Sequence, residues 1–332
     1  MDPIQTFVDG RSFITEDIQR ELKARFSEVD LFKRLSREEK FIQRSSRKSK
    51  FYSRKNFFKR RLIENQLKLA GLYSRAAKNA RDVRITKNIV SLRNLPEAFE
   101  NFKILQISDL HIELSYAACD RLIDLLETVE CDICVMTGDY GVEINKALDE
   151  TLRILSVILS RLNVPVFGVL GNHDTIALVP GMERLGITML LNEGIVLKQD
   201  NHLLFIAGVD DASHFQLHDI EKATSFSNKA DVSLILSHSP DIYEVAERAG
   251  CQLMLSGHTH GGQICLPGRI PIVLDSLVPR KMGSGSWRHG RLIGYTTTGV
   301  GTSVTPARLN CPPEIVIHQL RRANVERRAN AV

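Results

Sequence analysis

The sequence predicts an α/β protein, and two observations carry that prediction. Short continuous apolar runs, each bounded by glycine or a polar motif, recur along the chain and are typical of buried strands. From residue 83 these runs alternate with stretches of helical periodicity, which we predict at 118–130, 145–162 and 241–249. The chain has 332 residues, 43% of them hydrophobic and 25% charged, which is enough for a large core. Periodicity alone indicates the class α/β and no finer architecture.

Five of the predicted strands end at a polar motif. The strands are 104–108, 133–137, 164–170, 232–236 and 253–255. The motifs that follow them are Asp109-Leu110-His111, Gly138-Asp139, Gly171-Asn172-His173-Asp174, Ser237-His238 and Ser256-Gly257-His258-Thr259-His260-Gly261-Gly262-Gln263. Further strands are expected at 202–209, 293–298 and 315–319. Because ligands of open α/β sheets bind beyond the carboxyl ends of the strands, the fold should bring these motifs together.

The motifs supply Asp, His, Asp, Asn, His, His and His in an order that fits a two-metal site for phosphoester hydrolysis. Such esters resist hydrolysis because an anionic nucleophile must approach an anionic phosphorus, and two divalent ions about 3.5–4 Å apart relieve that repulsion. A single buried histidine is usually a core residue. Five of the ten histidines lie in these motifs, however, which favours a shared chemical role.

With these motifs the chain resembles the calcineurin-like metallophosphoesterases, in the bacterial branch whose last motif reads Gly-His-Thr-His-Gly-Gly-Gln. The resemblance covers roughly residues 80–320 and includes an entry at 95–104 and an exit at 299–315. It implies a two-sheet α/β sandwich flanked by helices, here with a basic helical N-terminal extension. In overall shape the chain is most similar to the UDP-2,3-diacylglucosamine pyrophosphatases of lipid A synthesis.

The resemblance also implies the roles of the motif residues. One metal ion would take Asp109, His111, Asp139 and His260, and the other would take Asp139, Asn172, His238 and His258. His173 would stabilise the transition state or protonate the leaving oxygen, and Asp174 would orient and charge His173. This mixture of oxygen and imidazole ligands suits Mn²⁺, Fe²⁺, Zn²⁺ or Co²⁺. The family favours two Mn²⁺ ions.

Charge divides the chain into three predicted parts: a basic extension at 1–79, a metallophosphoesterase domain at 80–320 and a basic tail at 321–332. Residues 1–100 hold 24 Lys or Arg and 13 Asp or Glu, a net charge of +11, whereas the whole chain carries +5. The run 51–62 interleaves aromatic residues with cations. Beyond it we predict one apolar helical face, composed of Phe58, Leu62, Leu69, Leu72 and Tyr73. Three interpretations of this arm stay open: a helix packed on the body, a membrane-surface helix, or a nucleic-acid-binding arm.

The six cysteines are expected to be free thiols, because no secretory signal peptide and no apolar run of membrane-spanning length are evident. Cys131 and Cys134 match a redox spacing, but we expect them to be core residues at the start of a strand. These features favour a cytoplasmic protein, peripheral at the inner membrane. No obligate protein partner is inferred.

Substrate contacts are harder to predict than metal ligands. The segment 266–291 is rich in Gly, Pro and Ser and is either a substrate lid or plain surface. The candidate substrate-binding residues are Arg269, Arg280, Trp287 and Arg308. His214 and His218 are four residues apart, and we expect them to face solvent or substrate instead of binding a third metal. His202, His289 and His318 are expected to be ordinary structural residues.

Three functions are compatible with the sequence. The preferred one is a metal-dependent pyrophosphatase acting on UDP-2,3-diacylglucosamine at an anionic membrane surface, with UMP and 2,3-diacylglucosamine 1-phosphate as products. The second is a general phosphodiesterase or nuclease of the same fold, although no nucleic-acid-binding module is recognisable and nucleic acid is not favoured as a partner. The third is a non-catalytic scaffold, which the complete set of motif residues disfavours.

Overall fold

Two six-stranded sheets pack face to face and form the centre of the molecule. The computed structural model describes residues 14–47, 60–142, 144, 148–227 and 230–323. The strand order is β1-β14-β2-β3-β4-β5 in the first sheet and β12-β13-β9-β8-β7-β6 in the second. The strands of the first sheet are β1 (Arg84–Leu92), β2 (Lys103–Ile107), β3 (Ile133–Met136), β4 (Val166–Gly168), β5 (Ile187–Met189) and β14 (Glu314–Arg322). Those of the second are β6 (Glu193–Gln199), β7 (His202–Gly208), β8 (Val232–Leu236), β9 (Leu253–Ser256), β12 (Gly285–His289) and β13 (Leu292–Thr296).

Most strands of both sheets run parallel. In the first sheet β2 to β5 are parallel to one another, while β14 pairs antiparallel with β2 and parallel with β1. In the second sheet β7, β8, β9 and β13 are parallel, and an antiparallel strand closes each edge. A short separate hairpin joins β10 (Cys265–Leu266) to β11 (Ile270–Pro271).

Helices flank the sandwich. They are α1 (Glu16–Arg25), α2 (Glu28–Arg47), α3 (60–69), α4 (Tyr73–Asn79), α5 (Tyr116–Leu126), α6 (Leu148–Leu159), α7 (Val179–Arg184), α8 (Ile220–Ala223) and α9 (Tyr243–Arg248). The apolar core between the sheets includes Ile104 and Val135 of the first sheet and Leu234 and Leu255 of the second. Burying apolar surface contributes about 25 cal/mol per Å², so these layers supply the main drive for folding.

The two N-terminal helices belong to the core of the body. Leu22 of α1 and Leu31 and Leu35 of α2 are buried in the same apolar cluster as Leu105 of β2 and Ile154 of α6. Thr15 caps α1 by accepting a hydrogen bond from the Ile18 N–H at 3.3 Å. The basic N-terminal segment is therefore packed on the sandwich through residues 14–47.

The predicted helical face of the arm is wrong in part. Leu67 is the buried residue of α3, whereas Leu62 and Leu69 are exposed. Leu72 and Tyr73 lie partly buried against the Leu67 cluster. Phe58 and most of the aromatic–cation run at 51–59 lie outside the described residues. Helical periodicity predicts which residues share an apolar face, but it does not predict which part of the protein that face packs against. The buried residue of α3 was therefore predicted wrongly.

Other predictions from the sequence are confirmed. The expected strands at 202–209, 293–298 and 315–319 correspond to β7, β13 and β14, and the three expected helices correspond to α5, α6 and α9. The six cysteines are free thiols. Within the ranges that the structure describes, no helix is both long and apolar enough to cross a bilayer.

Candidate metal centre

The strand ends of both sheets converge where the polar motifs lie. Asp109 and Asp139 follow β2 and β3 in the first sheet, and His238 and His258 follow β8 and β9 in the second. Backbone hydrogen bonds join neighbouring strand-end loops: the Asp109 N–H donates to the carbonyl of Gly138 at 2.9 Å, and the Gly257 N–H donates to the carbonyl of His238 at 2.8 Å. The His258 N–H donates to the Asp109 carboxylate at 3.1 Å and so connects the two sheets. The predicted gathering of the motifs is confirmed.

A first cluster contains Asp109, His111 and His260, all buried. The Nε2 atoms of His111 and His260 are 3.1 Å apart, and the His260 Nε2 is 3.6 Å from the Asp109 Oδ1. The two imidazole rings stack with their centroids 5.0 Å apart. One potential ligand atom from each residue lies within 4.8 Å of the others, so the three can hold one metal ion.

A second cluster contains Asp139, His238 and His258, and it meets the same distance limit. The His238 Nε2 is 3.1 Å from the Asn172 Oδ1 and 3.2 Å from the His258 Nδ1, which places Asn172 beside this cluster. The Asp139 Oδ2 is 3.3 Å from the His238 Nε2 and 3.5 Å from the His111 Nε2. One oxygen atom of Asp139 therefore lies between the two clusters, as a carboxylate that bridges two ions must.

The backbone is held in an unfavourable conformation at these residues. Asp109, His111, Asp139, His258 and His260 all have positive φ angles, between 40° and 74°. Positive φ is uncommon for residues other than glycine and costs of order 1–3 kcal/mol each, and it concentrates at functional sites. All five residues belong to the two clusters, so the unfavourable backbone conformation coincides with the candidate metal centre.

Burial and neighbouring carboxylates shift the pKa values of the residues in the two clusters. It lowers the pKa of His111 to about 3 and of His258 to about 4, and it takes the pKa of His260 well below its usual value. Burial also raises the pKa of Asp109 to about 6. Burial alone would lower the pKa of His238, but the carboxylates of Asp139, Asp109 and Asp211 raise it to about 10. Three of the four imidazoles are therefore neutral near pH 7, which is the form that binds metals.

Two glycines let the backbone pass close to the carboxylates of the two clusters. A Cβ at Gly171 would lie 2.2 Å from the Asp139 Oδ1, and a Cβ at Gly257 would lie 2.3 Å from the Asp109 Oδ2. Only glycine therefore lets the backbone approach the two carboxylates this closely. Carboxylate, amide and imidazole ligands suit borderline to hard divalent cations. The donor set and its geometry thus fit a dinuclear centre.

Comparison with known proteins agrees with this centre. Residues 102–262 match the model of the calcineurin-like phosphoesterase family. The chain is 32% identical over 235 residues to the phosphodiesterase YaeI of Escherichia coli, an alignment that covers 66% of this chain and 82% of that protein. This chain belongs to the calcineurin-like phosphoesterases.

Two bacterial relatives without an assigned activity are also similar to this phosphoesterase. An uncharacterised metallophosphoesterase of Aquifex aeolicus is 31% identical, over 71% of this chain and 90% of the relative. The uncharacterised metallophosphoesterase YkoQ of Bacillus subtilis is 28% identical, over 74% of this chain and 93% of the relative. The family assignment makes the phosphoesterase a metal-dependent hydrolase of phosphoric esters with a two-metal site.

In this phosphoesterase His173 lies at the edge of the first cluster. Its ring meets that of His111 edge-on, with the centroids 5.1 Å apart, and its Nδ1–H donates to the carbonyl of Val142 at 2.6 Å. Its backbone N–H donates to the Asp139 Oδ1 at 2.9 Å. His173 is half-buried and lies beside His111 and Asp139, one residue from each half of the centre.

The expectation that Asp174 orients the His173 ring is wrong. The buried Asp174 carboxylate accepts hydrogen bonds from the backbone N–H groups of Asp139 (2.7 Å), Tyr140 (2.9 Å), Gly141 (3.4 Å) and Gly171 (2.8 Å). The His173 Nδ1–H donates to the carbonyl of Val142 and not to the Asp174 carboxylate. Asp174 thus fixes the loops after β3 and β4 relative to each other, and it is a positioning residue.

Two of the four candidate substrate residues are also corrected. Trp287 is buried against the outer face of the second sheet, and its Nε1–H donates to the Thr296 hydroxyl at 2.9 Å. Arg308 is completely buried, and it donates to the carbonyl of Thr298 at 2.7 Å and to the His260 Nδ1 at 3.2 Å. Arg308 therefore contacts His260 of the first cluster and has no exposed surface to offer a substrate. Arg269 and Arg280 are exposed and stay candidates.

Two histidines outside the motifs have different surroundings. His214 is exposed at the rim of the second cluster, where its ring meets that of His258 edge-on at a centroid distance of 6.2 Å. His318 is a satisfied core residue, hydrogen-bonded to Gln106 and Asn88 at 3.0 Å each. His214 therefore lies beside a residue of the second cluster.

A buried ionic network beside the centre was not predicted from the sequence. Arg34 of α2 forms ion pairs with Glu38 and Asp210, and its Nη2–H donates to the carbonyl of Asp174 at 2.7 Å. Glu38 in turn accepts from the Thr175 hydroxyl at 2.9 Å. The available signal was an Arg–Glu pair four residues apart within an apolar helical stripe. Helix α2 therefore directly contacts the loop that carries Asn172 and His173.

Proposed function

We propose that this protein hydrolyses the pyrophosphate bond of a nucleotide-activated, acylated sugar at a membrane surface, with UDP-2,3-diacylglucosamine as the preferred substrate. The products would be UMP and 2,3-diacylglucosamine 1-phosphate. The observation that carries the hydrolytic part is the position of Asp139 between two clusters of metal-binding residues, at 3.5 and 3.3 Å from one imidazole of each. We propose Mn²⁺ as the metal in both positions.

We assign the residues of the centre to two metal positions. Asp109, His111 and His260 would hold one ion, His238, His258 and Asn172 would hold the other, and Asp139 would join both. Two such ions neutralise the phosphate charge, lower the pKa of a water molecule and hold the phosphoryl group for in-line attack. The surrounding glycines and positive-φ residues keep these side chains at the centre before substrate arrives.

His173 would supply the proton for the leaving oxygen. Its Nδ1–H is committed to the carbonyl of Val142, so Nε2 is the nitrogen available to the substrate. In the imidazolium form this Nε2 carries a proton, and its transfer to the leaving oxygen produces neutral imidazole. The edge-on contact with His111 keeps the ring next to the first cluster.

Support for a lipid-linked substrate comes from the chain outside the metal centre. The motif pattern resembles the lipid A pyrophosphatases, and the first 100 residues carry a net charge of +11. An anionic membrane attracts such a segment, at about 1 kcal/mol for each cation close to the surface. We therefore propose peripheral association with the inner membrane.

A general phosphodiesterase is the second candidate. The observation that favours it is the 32% identity to a relative named a phosphodiesterase. The same two-metal chemistry serves diesters and pyrophosphates, so the centre alone does not discriminate between the substrates.

Mass-spectrometric product analysis separates the candidates. The full chain is incubated with Mn²⁺ and UDP-2,3-diacylglucosamine in detergent micelles, and in parallel with bis(p-nitrophenyl) phosphate or a single-stranded oligonucleotide. UMP together with the lipid monophosphate, formed faster than the products of the other two substrates, supports the pyrophosphatase. Turnover of only the diester or the oligonucleotide contradicts it, and the Asp139→Ala variant controls for contaminating hydrolases.

A further inference from the structure

An exposed apolar loop borders the metal centre. Sixteen large apolar residues are exposed among those that the structure describes, and five of them fall within the twelve residues 266–277. They are Leu266, Ile270, Ile272, Val273 and Leu277, with exposed fractions from 51% to 97%. Single exposed apolar residues are normal on a protein surface, but a contiguous group marks an interaction site.

The loop is held in this outward conformation by hydrogen bonds. β10 and β11 form its stem, and beyond them the Ile272 N–H donates to the carbonyl of Ile264 at 3.2 Å. Asp241 accepts from the Leu277 N–H at 3.1 Å and from the Ser276 hydroxyl at 2.7 Å. The backbone is thus fixed at both ends while the aliphatic side chains stay uncovered.

The base of the loop touches the motif that carries His258 and His260. Thr259 donates from its hydroxyl to the carbonyl of Gly283 at 2.6 Å. A Cβ at Gly262 would lie 2.4 Å from the Pro271 Cβ and 2.7 Å from the carbonyl oxygen of Val273, so the loop packs directly against this turn. Whatever binds the loop is therefore brought close to the metal centre.

Cations flank the aliphatic residues. Arg269, Arg280 and Lys281 are exposed, and Asp275 is the one acidic residue in the range 266–281. Aliphatic side chains bordered by Lys and Arg are typical of segments that lie in the headgroup region of a bilayer, with cations on the anionic lipids.

The neighbouring helix α3 has the same character. Ile63 of α3 and Ile264, at the stem of the loop, pack against the same small cluster. Leu69 of α3 is 90% exposed, and residues 60–81 hold six Lys or Arg and one Glu. Helix α3 therefore lies close to the stem of the loop and carries a further exposed apolar residue among cations.

We propose that residues 266–277 insert into the headgroup–acyl boundary of an anionic bilayer and hold the adjoining metal centre at the membrane. The inference deepens the proposed function, because a bilayer-embedded substrate would then meet the centre without leaving the lipid. It depends on the proposed function only for the identity of that substrate.

The test is co-sedimentation of the full chain with phosphatidylcholine vesicles, with and without phosphatidylglycerol. Deletion of the N-terminal segment is unsuitable, since α1 and α2 contribute to the core. The test variant is instead Ile272→Asp with Val273→Asp, and the matched control is Val29→Asp with Ile89→Asp, two aliphatic residues that are similarly exposed elsewhere. Hydrolysis of bis(p-nitrophenyl) phosphate is measured for each protein as a check on the metal centre.

We expect the wild-type chain and the control to bind the anionic vesicles, and the loop variant to bind at least about tenfold more weakly, which corresponds to losing the burial of one aliphatic side chain. Equal binding by the loop variant and the wild type overturns the proposal. A second outcome also overturns it: the wild type binds no vesicles, and light scattering shows that it self-associates while the loop variant does not. If the wild type binds vesicles through the loop but does not cleave UDP-2,3-diacylglucosamine in micelles, the docking surface stands and the proposed substrate fails.

Discussion

Replacement of Arg34 by Met should destabilise the protein strongly, because it removes the cation at the centre of a buried network. The guanidinium forms ion pairs with Glu38 (2.9 Å) and Asp210, donates to the carbonyl of Asp174 and lies 4.1 Å above the Phe215 ring. Arg34 is 1% exposed and Glu38 is fully buried. Methionine fills much of the aliphatic volume of the side chain but leaves two buried carboxylates without this cation.

The expected loss follows from these contacts. Breaking a buried ion pair by removing one partner costs about 3–5 kcal/mol, because the other charge is left uncompensated. Glu38 keeps its hydrogen bonds from Thr175 (2.9 Å) and the Ile176 N–H (2.8 Å), which places the loss near the lower limit, at about 3 kcal/mol. A domain is stable by about 5–15 kcal/mol, so this is a large fraction of the total.

Urea denaturation followed by circular dichroism measures this change. The exposed residue Arg37 provides the control: Arg37→Met should change the free energy of unfolding by less than about 0.5 kcal/mol. Adding Glu38→Gln and Asp210→Asn to Arg34→Met should restore part of the stability, since neutral amides then replace the two carboxylates that faced the guanidinium. A loss below about 1 kcal/mol for Arg34→Met, or no recovery in the triple variant, would refute the reasoning.

Three further predictions concern the centre and the core. Chelation should abolish hydrolysis, and Mn²⁺ should restore it better than Mg²⁺, Zn²⁺ or Co²⁺; full activity of the metal-free protein would exclude a metal mechanism. Asp139→Ala should lose both metal and turnover, whereas His173→Ala should retain metal, measured by elemental analysis, and lose roughly 10²–10⁴ in rate; a fully active His173 variant would remove that residue from the mechanism. Burial lowers the pKa of His318 to about 3. Between about pH 6.5 and 3 this imidazole therefore binds a proton in the unfolded chain but not in the folded one. The free energy of unfolding should fall by about 1.4 kcal/mol for each pH unit in that range. In urea titrations at pH 5 and 7 the His318→Asn variant should show a smaller pH dependence than the wild type, and an equal dependence would contradict this.

The metal-binding motifs could be predicted because their positions follow from local sequence. Short apolar runs identify β2, β3, β4, β8 and β9, and parallel strands bring their carboxyl ends to one edge. The order of Asp and His residues then identified the gathering of Asp109, Asp139, His238 and His258 before their contacts were known. Strand-end position is a property of the backbone, which short sequence windows describe well.

The predictions that failed depended on side-chain direction and on packing between distant segments. Asp174 follows His173 in the sequence, yet its carboxylate turns to four backbone N–H groups and away from the imidazole. Arg308 and Trp287 are polar or amphipathic residues in glycine-rich segments, and nothing local indicated that both would be buried. The contact of α2 with residues 174–176 joins positions about 140 residues apart, which no periodicity reveals.

The pairing of β1 with β14 has a consequence for how the chain folds during synthesis. β14 lies between β1 and β2, and its register joins Arg84 to Glu314 and Leu92 to Arg322. During synthesis, roughly 220 residues separate the end of β1 from the start of β14, its pairing partner. At normal translation rates β1 therefore stays without this partner for about 10–45 seconds. An unpaired strand of nine residues is a template for aggregation during that interval. Limited proteolysis of ribosome-stalled chains should cut within 84–92 when the chain ends before residue 314, and protection of that segment in the shorter chains would show that another element covers β1 first.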